Sequence, residues 1–413
     1  MTSTTAQHPP ILLCSEAGGG SGHVTTLATV ARALAPQFRS RAIIARLDHA
    51  DVLAKVCYRV SKGTHLARIP HAPESSVLSW VGWLQSRSFA DPAIMKRDFD
   101  WWCEVMRAIR PALVVGDYAP TALMAARALG IRSAVTGVAF SLPPATLPRF
   151  PDLLTADQLA AHGTVLADVP PPDENAIRDT INHTLGPSGL PPLARLPEVY
   201  AADLSLPRGV SLWDPYTDHR DRPLLMPVDP MPPLQGRRGG EVFIYFSTSE
   251  LKDPATIEAL RRLPFDACLV APRLTVEQAQ QLAVNPRVRF SPVPLPRDEI
   301  VRRARVILCA GQGGTLSLAV LSGIPVLALP VQHEQLSNAL RAAGHLSSVR
   351  VLPRAQRSAG AILGTLDDLW SRPALSAAAR LMAMELRDAY GETAVAAYRR
   401  LLMPLLQTAA PAA

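Results

Sequence analysis

The sequence lacks the features that mark membrane-spanning, secreted and disulfide-stabilised proteins. It has no run of about 18 uncharged apolar residues, so we predict no membrane span. The first ten residues are polar and do not resemble a secretion signal, which leads us to expect a cytoplasmic protein. The 5 cysteines are widely spaced without a C-x-x-C pair, which argues against a disulfide framework or a zinc site. Three of them, Cys14, Cys268 and Cys309, lie in apolar runs and are predicted to be buried in core strands.

Lysine is scarce, and arginine supplies nearly all of the 42 basic residues that face 35 acidic ones, for a net charge of +7. The arginines are scattered, and no basic stripe with interleaved aromatic residues marks a nucleic-acid surface. A solvated surface is the simpler interpretation, while peripheral contact with an anionic membrane stays open. The length of 413 residues indicates two or three domains. For the oligomeric state, a monomer and a homodimer both stay open.

Apolar runs alternate with helical patterns in both halves of the chain. Predicted strands at 11–14, 42–45, 112–115 and 133–136 are separated by predicted helices at 24–35, 95–109 and 121–129. Strands restart at 242–246, and helical sequence fills 374–405. This alternation predicts doubly wound parallel sheets of the α/β class. Between the halves, proline-dense sequence predicts an irregular excursion of the first domain suited to a ligand pocket, followed by a linker at 223–240.

The most informative stretch covers residues 305–339 and reads as strand, glycine-rich turn, helix, strand and polar loop. The turn and the loop then lie at the edge where open α/β sheets bind ligands. Backbone N–H groups of Gly311, Gly313 and Gly314 at a helix start suit a phosphate. The polar residues of the second loop are Glu334, Gln335 and Asn338. A diphosphate carrying a sugar would use both groups.

This stretch resembles the donor-binding signature of GT-B glycosyltransferases, both the family 1 enzymes that glycosylate small molecules and the peptidoglycan GlcNAc transferases. The matching segments are Gly314-Thr315, Gly323-Ile324-Pro325, Glu334-Gln335 and Asn338-Ala339. Two positions depart from the pattern. The family histidine that contacts the diphosphate falls on Ala310, and the glutamate that holds the ribose falls on Leu318.

The resemblance implies two Rossmann-like domains that face each other across a cleft. Residues 1–222 would bind the acceptor, 223–240 would link the domains, and 241–385 would bind the donor. Residues 386–413 would form a helix that packs back on the first domain.

The sequence AGGGSGH at 17–23 follows the first predicted strand, and it matches neither a G-x-G-x-x-G loop nor an NTPase loop. It resembles the N-terminal glycine loop of the same transferases. That likeness implies Gly20 and Gly22 as ligand-contacting positions and His23 as the base that deprotonates the acceptor. Asp117, at the end of a predicted strand, would orient the imidazole. The alternatives are that His23 only caps a helix and that Asp117 caps the helix starting near Thr121.

Further donor contacts are assigned to hydroxyl and amide groups. In the segment Phe246-Ser247-Thr248-Ser249-Glu250, Thr248 is predicted to bond the diphosphate, with ordinary helix capping as the alternative. Gln312 would partly replace the missing histidine, and Thr315 would complete the turn.

Other motifs are given structural interpretations. Asp98 and Asp100 spell D-x-D, but carboxylates two positions apart on a helix do not face each other, so we predict no metal there. His183, His219 and His345 are predicted to lie on the surface. The aromatic group of Trp80, Trp83, Phe89, Trp101 and Trp102 forms either core or the wall of an apolar acceptor site.

These features together predict a metal-independent, inverting glycosyltransferase of the hexosyltransferase type. It would need no cofactor beyond a nucleotide-diphospho sugar as co-substrate, and its acceptor would be a small molecule or a lipid-linked saccharide. The alternative is a catalytically atypical or inactive GT-B protein that acts as a binding partner of a transferase. A sugar-nucleotide epimerase is disfavoured because the required set of carboxylates and histidines is absent from the sequence.

Overall fold

A computed structural model describes residues 9–18, 21–69, 79–164, 172–247 and 249–407. The first half of the chain folds into a six-stranded parallel sheet. Its strands are β1 (Ile11–Ser15), β2 (Ser40–Ile44), β3 (Arg59–Lys62), β4 (Leu113–Asp117), β5 (Ser133–Val138) and β6 (Leu204–Arg208). The helices of this half are α1 (Ser21–Leu34), α2 (Ala50–Ala54), α3 (Trp80–Gln85), α4 (Pro92–Ile109), α5 (Pro120–Ala128), α6 (Ala156–Ala161) and α7 (Glu174–Leu185).

The second half forms another six-stranded parallel sheet. Its strands are β7 (Glu241–Tyr245), β8 (Ala267–Val270), β9 (Val288–Ser291), β10 (Ala304–Cys309), β11 (Val326–Ala328) and β12 (Val349–Val351). The helices are α8 (Pro254–Arg261), α9 (Val276–Leu282), α10 (Arg297–Arg303), α11 (Gly313–Ser322), α12 (His333–His345), α13 (Ala359–Ser371), α14 (Pro373–Arg387) and α15 (Ala394–Gln407). None of the helices in the described ranges is long and apolar enough to cross a membrane.

Both sheets have the same topology. The first runs β3-β2-β1-β4-β5-β6, and the second runs β12-β11-β10-β7-β8-β9, which is the same order read from the other side. The strand order therefore reverses between β1 and β4 in one sheet and between β7 and β10 in the other. Ligands bind at such switch points, beyond the carboxyl ends of the strands.

The core lies on both faces of each sheet. In β1, Leu12 and Cys14 face one apolar cluster, whereas Ile11 and Leu13 face another that contains residues of α1 and α15. Because both faces are covered, the central strands are apolar without alternation, as expected for parallel sheets. The prediction that Cys14, Cys268 and Cys309 are buried in strands is confirmed, and all three are free thiols.

The helical sequence predicted as one stretch at 374–405 is divided into α14 and α15, and α13 precedes them unpredicted. The final helix lies on the first sheet. The Tyr398 hydroxyl is 2.5 Å from Thr136 Oγ1 in β5, and Arg399 Nε donates to the Ala33 carbonyl at the end of α1 (2.7 Å). This helix therefore joins the two halves a second time.

The two halves of the chain also contact each other through the proline-rich excursion. Leu154 and Leu159, from the proline-rich excursion, form a buried apolar cluster with Leu336 of α12. The His162 and His333 rings lie 6.0 Å apart across the same contact. The excursion of the first half therefore packs against the N-terminal part of α12 in the second half.

Candidate active site between the two sheets

The predicted site residues follow the four strands that flank the two switch points. His23 lies in the first turn of α1, which follows β1, and Asp117 is the last residue of β4. In the second half, Ser247 and Glu250 follow β7, and the glycine turn follows β10. The fold therefore brings the N-terminal and C-terminal predictions to facing sheet edges.

His23 and Asp117 are directly hydrogen-bonded. His23 Nδ1 lies 3.0 Å from Asp117 Oδ1, and the side chains are 24% and 1% exposed. A carboxylate only accepts hydrogen bonds, so Nδ1 carries the proton and Nε2 keeps its lone pair. Helix α5 is not capped by Asp117, because its N-cap is Ala119, which makes no side-chain cap bond. The aspartate is therefore committed to the histidine.

The backbone around Asp117 is shaped to hold this pair. Gly137 of β5 has φ +144°, and a Cβ at that position would lie 2.8 Å from Asp117 Oδ1. Only glycine leaves room for the carboxylate there and tolerates that φ. On the other side, Gly18 lies against the imidazole, since a Cβ built on it would be 2.2 Å from His23 Nε2.

Glu16 fixes the start of α5, which closely follows Asp117. Its side chain is fully buried and accepts hydrogen bonds from Trp102 Nε1 (2.7 Å) and from the backbone N–H groups of Thr121 (2.8 Å) and Ala122 (3.2 Å). These last two bonds cap the N-terminus of α5. Burial raises the pKa of Glu16 to about 7 against these hydrogen bonds. Sequence reasoning missed this residue, although it directly follows the first strand.

Glu334, at the start of α12, reaches the histidine electrostatically from the other half of the chain. Burial favours neutral imidazole, but the charge and hydrogen bond of Asp117 and the charge of Glu334 together raise the pKa of His23 above its usual value. Burial also raises the pKa of Glu334, and His23 partly offsets this effect. His23 and Glu334, which belong to different halves of the chain, are therefore within electrostatic reach of each other.

The glycine turn after β10 is closely packed against α12. Gly311 has φ +92°, and a Cβ there would lie 2.7 Å from the Gln335 carbonyl oxygen. A larger residue could not adopt this turn, so glycine is required. The turn leads directly into α11, whose first residues are Gly313, Gly314 and Thr315. Gly313 approaches the buried Asn338, whose Nδ2 would be 4.0 Å from a Cβ at that glycine.

Gln312 links the turn to the loop after β7. Its Nε2 donates to Ser247 Oγ (3.1 Å) and to the buried Glu250 Oε1 (3.3 Å), and its Oε1 accepts from the Ala310 N–H (3.1 Å). The uncharged amide of Gln312 therefore lies between the glycine turn and the loop after β7. Ala310 and Leu318 are buried in the core, so neither supplies a polar group to the crevice.

Other predicted donor residues fall into three groups. The Gln335 side chain is buried, and its Oε1 accepts from the Val331 N–H (2.9 Å) and the Gln332 N–H (3.1 Å), so this oxygen caps α12. Gly22 is exposed in the first turn of α1, and nothing lies within 4 Å of a Cβ built on it. Gly20 and Thr248 lie outside the described residues.

An aromatic wall adjoins His23. We use this name for Trp80, Trp83, Tyr118 and Phe140. The Tyr118 ring lies 5.6 Å from His23, 5.0 Å from Trp83 and 5.8 Å from Trp80, measured between centroids. Trp80 is held in place because its Nε1 donates to Tyr216 Oη (2.6 Å). Sequence reasoning named both tryptophans but missed Tyr118, which adopts φ +58° directly after Asp117.

The remaining motifs have structural roles. Phe89 and Trp102 are buried, and Trp101 is half-buried against the same core. Asp98 and Asp100 lie on α4, where Arg97 (2.8 Å) and Lys96 (2.6 Å) respectively pair with them. His183, His219 and His345 are exposed, as predicted.

The chain is similar to solved glycosyltransferases over nearly its whole length, whereas no protein-family model and no curated protein matches it. CalG4, the calicheamicin glycosyltransferase, aligns with a TM-score of 0.69 at 16% identity, over 98% of this chain and 100% of CalG4. Glycosyltransferase VinC in complex with dTDP aligns with a TM-score of 0.65 at 16% identity, over 97% and 100%. A UDP-glucosyltransferase from Polygonum tinctorium aligns with a TM-score of 0.63 at 15% identity, over 98% of this chain and 100% of that enzyme.

Similarity at these identities is a similarity of fold. Two doubly wound parallel sheets of identical topology, facing each other across a crevice, confirm the predicted architecture. The chain therefore has the GT-B fold of these glycosyltransferases.

Proposed function

We propose that this protein is an inverting glycosyltransferase that moves a sugar from a nucleotide-diphospho donor to a hydroxyl group of a small-molecule acceptor. The observation that carries the proposal is the His23–Asp117 hydrogen bond at one switch point, within electrostatic reach of Glu334 at the start of α12 in the other half. An inactive binding partner would not need this hydrogen-bonded pair, so the catalytic function is favoured over the auxiliary one.

In the proposed reaction, His23 acts as the base. Asp117 holds Nδ1–H, so the lone pair of Nε2 takes the proton of the acceptor hydroxyl. The acceptor oxygen forms a bond to the anomeric carbon while the bond from that carbon to the diphosphate oxygen breaks. The nucleoside diphosphate leaves with that electron pair from the opposite face, which inverts the configuration. Asp117 and Glu334 stabilise the imidazolium, which then releases its proton to water.

The C-terminal half would hold the donor. Backbone N–H groups at the start of α11 would receive the diphosphate and stabilise it as it leaves, without a metal ion, and Gln312 Nε2 would exchange its hydrogen bond to Ser247 Oγ for one to the diphosphate. Glu334, together with the buried Asn338 and Gln335 of the same helix, would bind the sugar hydroxyl groups. One neighbour of the same fold was solved with dTDP and another is named a UDP-glucosyltransferase, so both nucleotides belong in the first assay.

The test compares the protein with His23→Ala and with the control His219→Ala, which alters an exposed histidine. UDP- and dTDP-sugars are incubated with a panel of hydroxylated aglycones, and release of the nucleoside diphosphate is measured. We expect His23→Ala to lose about 10²-fold or more in turnover and to keep nucleotide affinity, because general base catalysis contributes on that scale.

The configuration of the product provides a second readout. Proton NMR of the glycoside should show the anomeric configuration opposite to that of the donor. Wild-type turnover by His23→Ala would remove the assigned base, and retained configuration would exclude the single displacement.

A further inference from the structure

The aromatic wall ends at a cation that the proposed chemistry leaves without a role. Arg87 lies four residues after Trp83, just beyond α3, and its guanidinium carbon is 5.3 Å from the centroid of the Trp83 ring. His23, Tyr118, Trp83 and Arg87 thus follow one another in contact. The wall has the catalytic base at one end and a positive charge at the other.

The guanidinium of Arg87 is partly removed from water and has no acidic partner among the described residues. The side chain is half-buried, and its Nε is buried with no hydrogen-bond partner. Within the ranges that the structure describes, no carboxylate pairs with it. Burial lowers the pKa of Arg87, and the nearby ionisable groups that act on it are Tyr118 and the exposed Arg68. A desolvated cation without a counter-ion is costly, and a ligand anion would offset that cost.

Arg87 lies among other basic groups in the described part of the chain. Burial, followed by the charges of Arg87, Arg46 and Lys62, lowers the pKa of His65, and Arg46 is itself paired with Asp48 (2.7 Å). The negative charges that act on the His23 end of the wall are Asp117 and Glu334. The site is therefore polarised along the aromatic wall, which would orient an acceptor that carries charge at one end only.

From this arrangement we infer that the acceptor is an apolar ring compound with an oxyanion, such as a carboxylate or a sulfonate, bound by Arg87 while its hydroxyl group faces His23. The inference rests on the proposed function for the meaning of "acceptor". The partly exposed rings of the aromatic wall, which are Trp83, Tyr118 and Phe140, bind the body of the molecule, and Arg87 selects against neutral analogues.

The test uses a matched pair of probes that need no donor and have no hydroxyl group to glycosylate. Binding of 8-anilinonaphthalene-1-sulfonate and of the uncharged N-phenyl-1-naphthylamine is followed by fluorescence enhancement. The variants are Arg87→Met, which removes the charge at similar length, and Arg107→Met, which removes an exposed charge on α4 as a control. Thermal unfolding verifies that each variant is folded.

We expect Arg87→Met to weaken sulfonate binding about tenfold or more, because a charge-assisted hydrogen bond is lost, and to change binding of the neutral probe less than about twofold. Arg107→Met should match the wild type for both probes. Displacement of the bound sulfonate by 2-naphthoate, but not by its methyl ester, would extend the preference to carboxylates; displacement by neither would restrict it to sulfonates.

Two results would overturn the inference. One is the absence of sulfonate binding by the wild type, and the other is equal sulfonate affinity in the wild type and Arg87→Met. Because neither measurement involves sugar transfer, the inference can fail while glycosylation is observed. A selective anion site in a protein that transfers no sugar would instead contradict the proposed function alone.

Discussion

Replacing Gly137 with alanine displaces the carboxylate that orients His23 without altering any charged group. A Cβ at Gly137 would lie 2.8 Å from Asp117 Oδ1, the atom that is 3.0 Å from His23 Nδ1. Since ordinary contact begins near 3.4 Å, the carboxylate must move by about 0.6 Å, which stretches the hydrogen bond beyond its normal range. Misplacement on the 1 Å scale costs about 10²-fold, so we expect kcat to fall about 10- to 100-fold.

The backbone of this variant is also strained, which calls for a matched control. Alanine at φ +144° costs about 1–3 kcal/mol of stability. Gly130→Ala introduces the same side chain at φ +63°, where nothing lies within 4 Å of the new Cβ. We expect it to lose about 1 kcal/mol and to keep its activity. Urea unfolding of both variants identifies conditions in which both are folded.

The assay is release of the nucleoside diphosphate as a function of pH. Because Asp117 raises the pKa of His23, displacing the carboxylate should also move the acidic limb of the Gly137→Ala profile to lower pH. If folded Gly137→Ala retains both the wild-type kcat and the wild-type acidic limb, the assigned role of Asp117 is refuted.

Three other predictions concern separate parts of the site. Asp117→Asn should lower kcat about 10²-fold or more and shift the acidic limb to lower pH, because it lowers the raised pKa of His23. Gln312→Ala should weaken nucleoside diphosphate binding about tenfold in calorimetric titration, since it removes a donor beside Glu250 at the turn. Glu16 should make the wild type less stable as pH rises from about 4.5 to about 7, by up to roughly 3 kcal/mol, because its folded-state pKa is raised to about 7 and its ionised form is penalised there.

Each of these has its own contradicting result. An unchanged acidic limb in Asp117→Asn would mean that another group titrates. Wild-type nucleotide affinity in Gln312→Ala would place the diphosphate elsewhere. Glu16→Gln should remove the loss of stability between those pH values, and persistence of the loss would assign it to a different residue.

The sequence allowed us to identify the positions that end or follow the apolar strands. His23, Asp117 and the Gly311 turn each follow an apolar run, and parallel sheets gather such positions at one edge. The pairing of His23 with Asp117 rested on family resemblance, and the structure gives it a distance. The alternative in which Asp117 caps α5 is wrong, because the carboxylate bonds the imidazole instead.

The strands that the sequence did not reveal are the two edges of the first sheet. Both β3, with the sequence RVSK, and β6, with LSLPR, are short and partly polar. An edge strand has a neighbour on only one side and buries less apolar surface, so its hydrophobic pattern is weak. Proline in β6 further obscured the signal.

The meeting of the two halves could not be predicted from local pattern. Glu334 and His23 are separated by most of the chain, and only the relative placement of the sheets brings Glu334 within electrostatic reach of His23 and Tyr118. Likewise, Gln335 reads as a polar loop residue, but its Oε1 is used to cap α12. Contacts of this kind depend on tertiary structure, and they leave no periodic signal in the sequence.

The most direct test of the proposed donor site is a crystal structure of the protein with UDP or dTDP bound. We expect the diphosphate oxygens to lie within hydrogen-bond distance of the backbone N–H groups at Gly314 and Thr315, with the terminal phosphate directed across the crevice toward His23 Nε2. A nucleotide bound away from the β10 turn, or an imidazole directed out of the crevice in that complex, would contradict the proposed function.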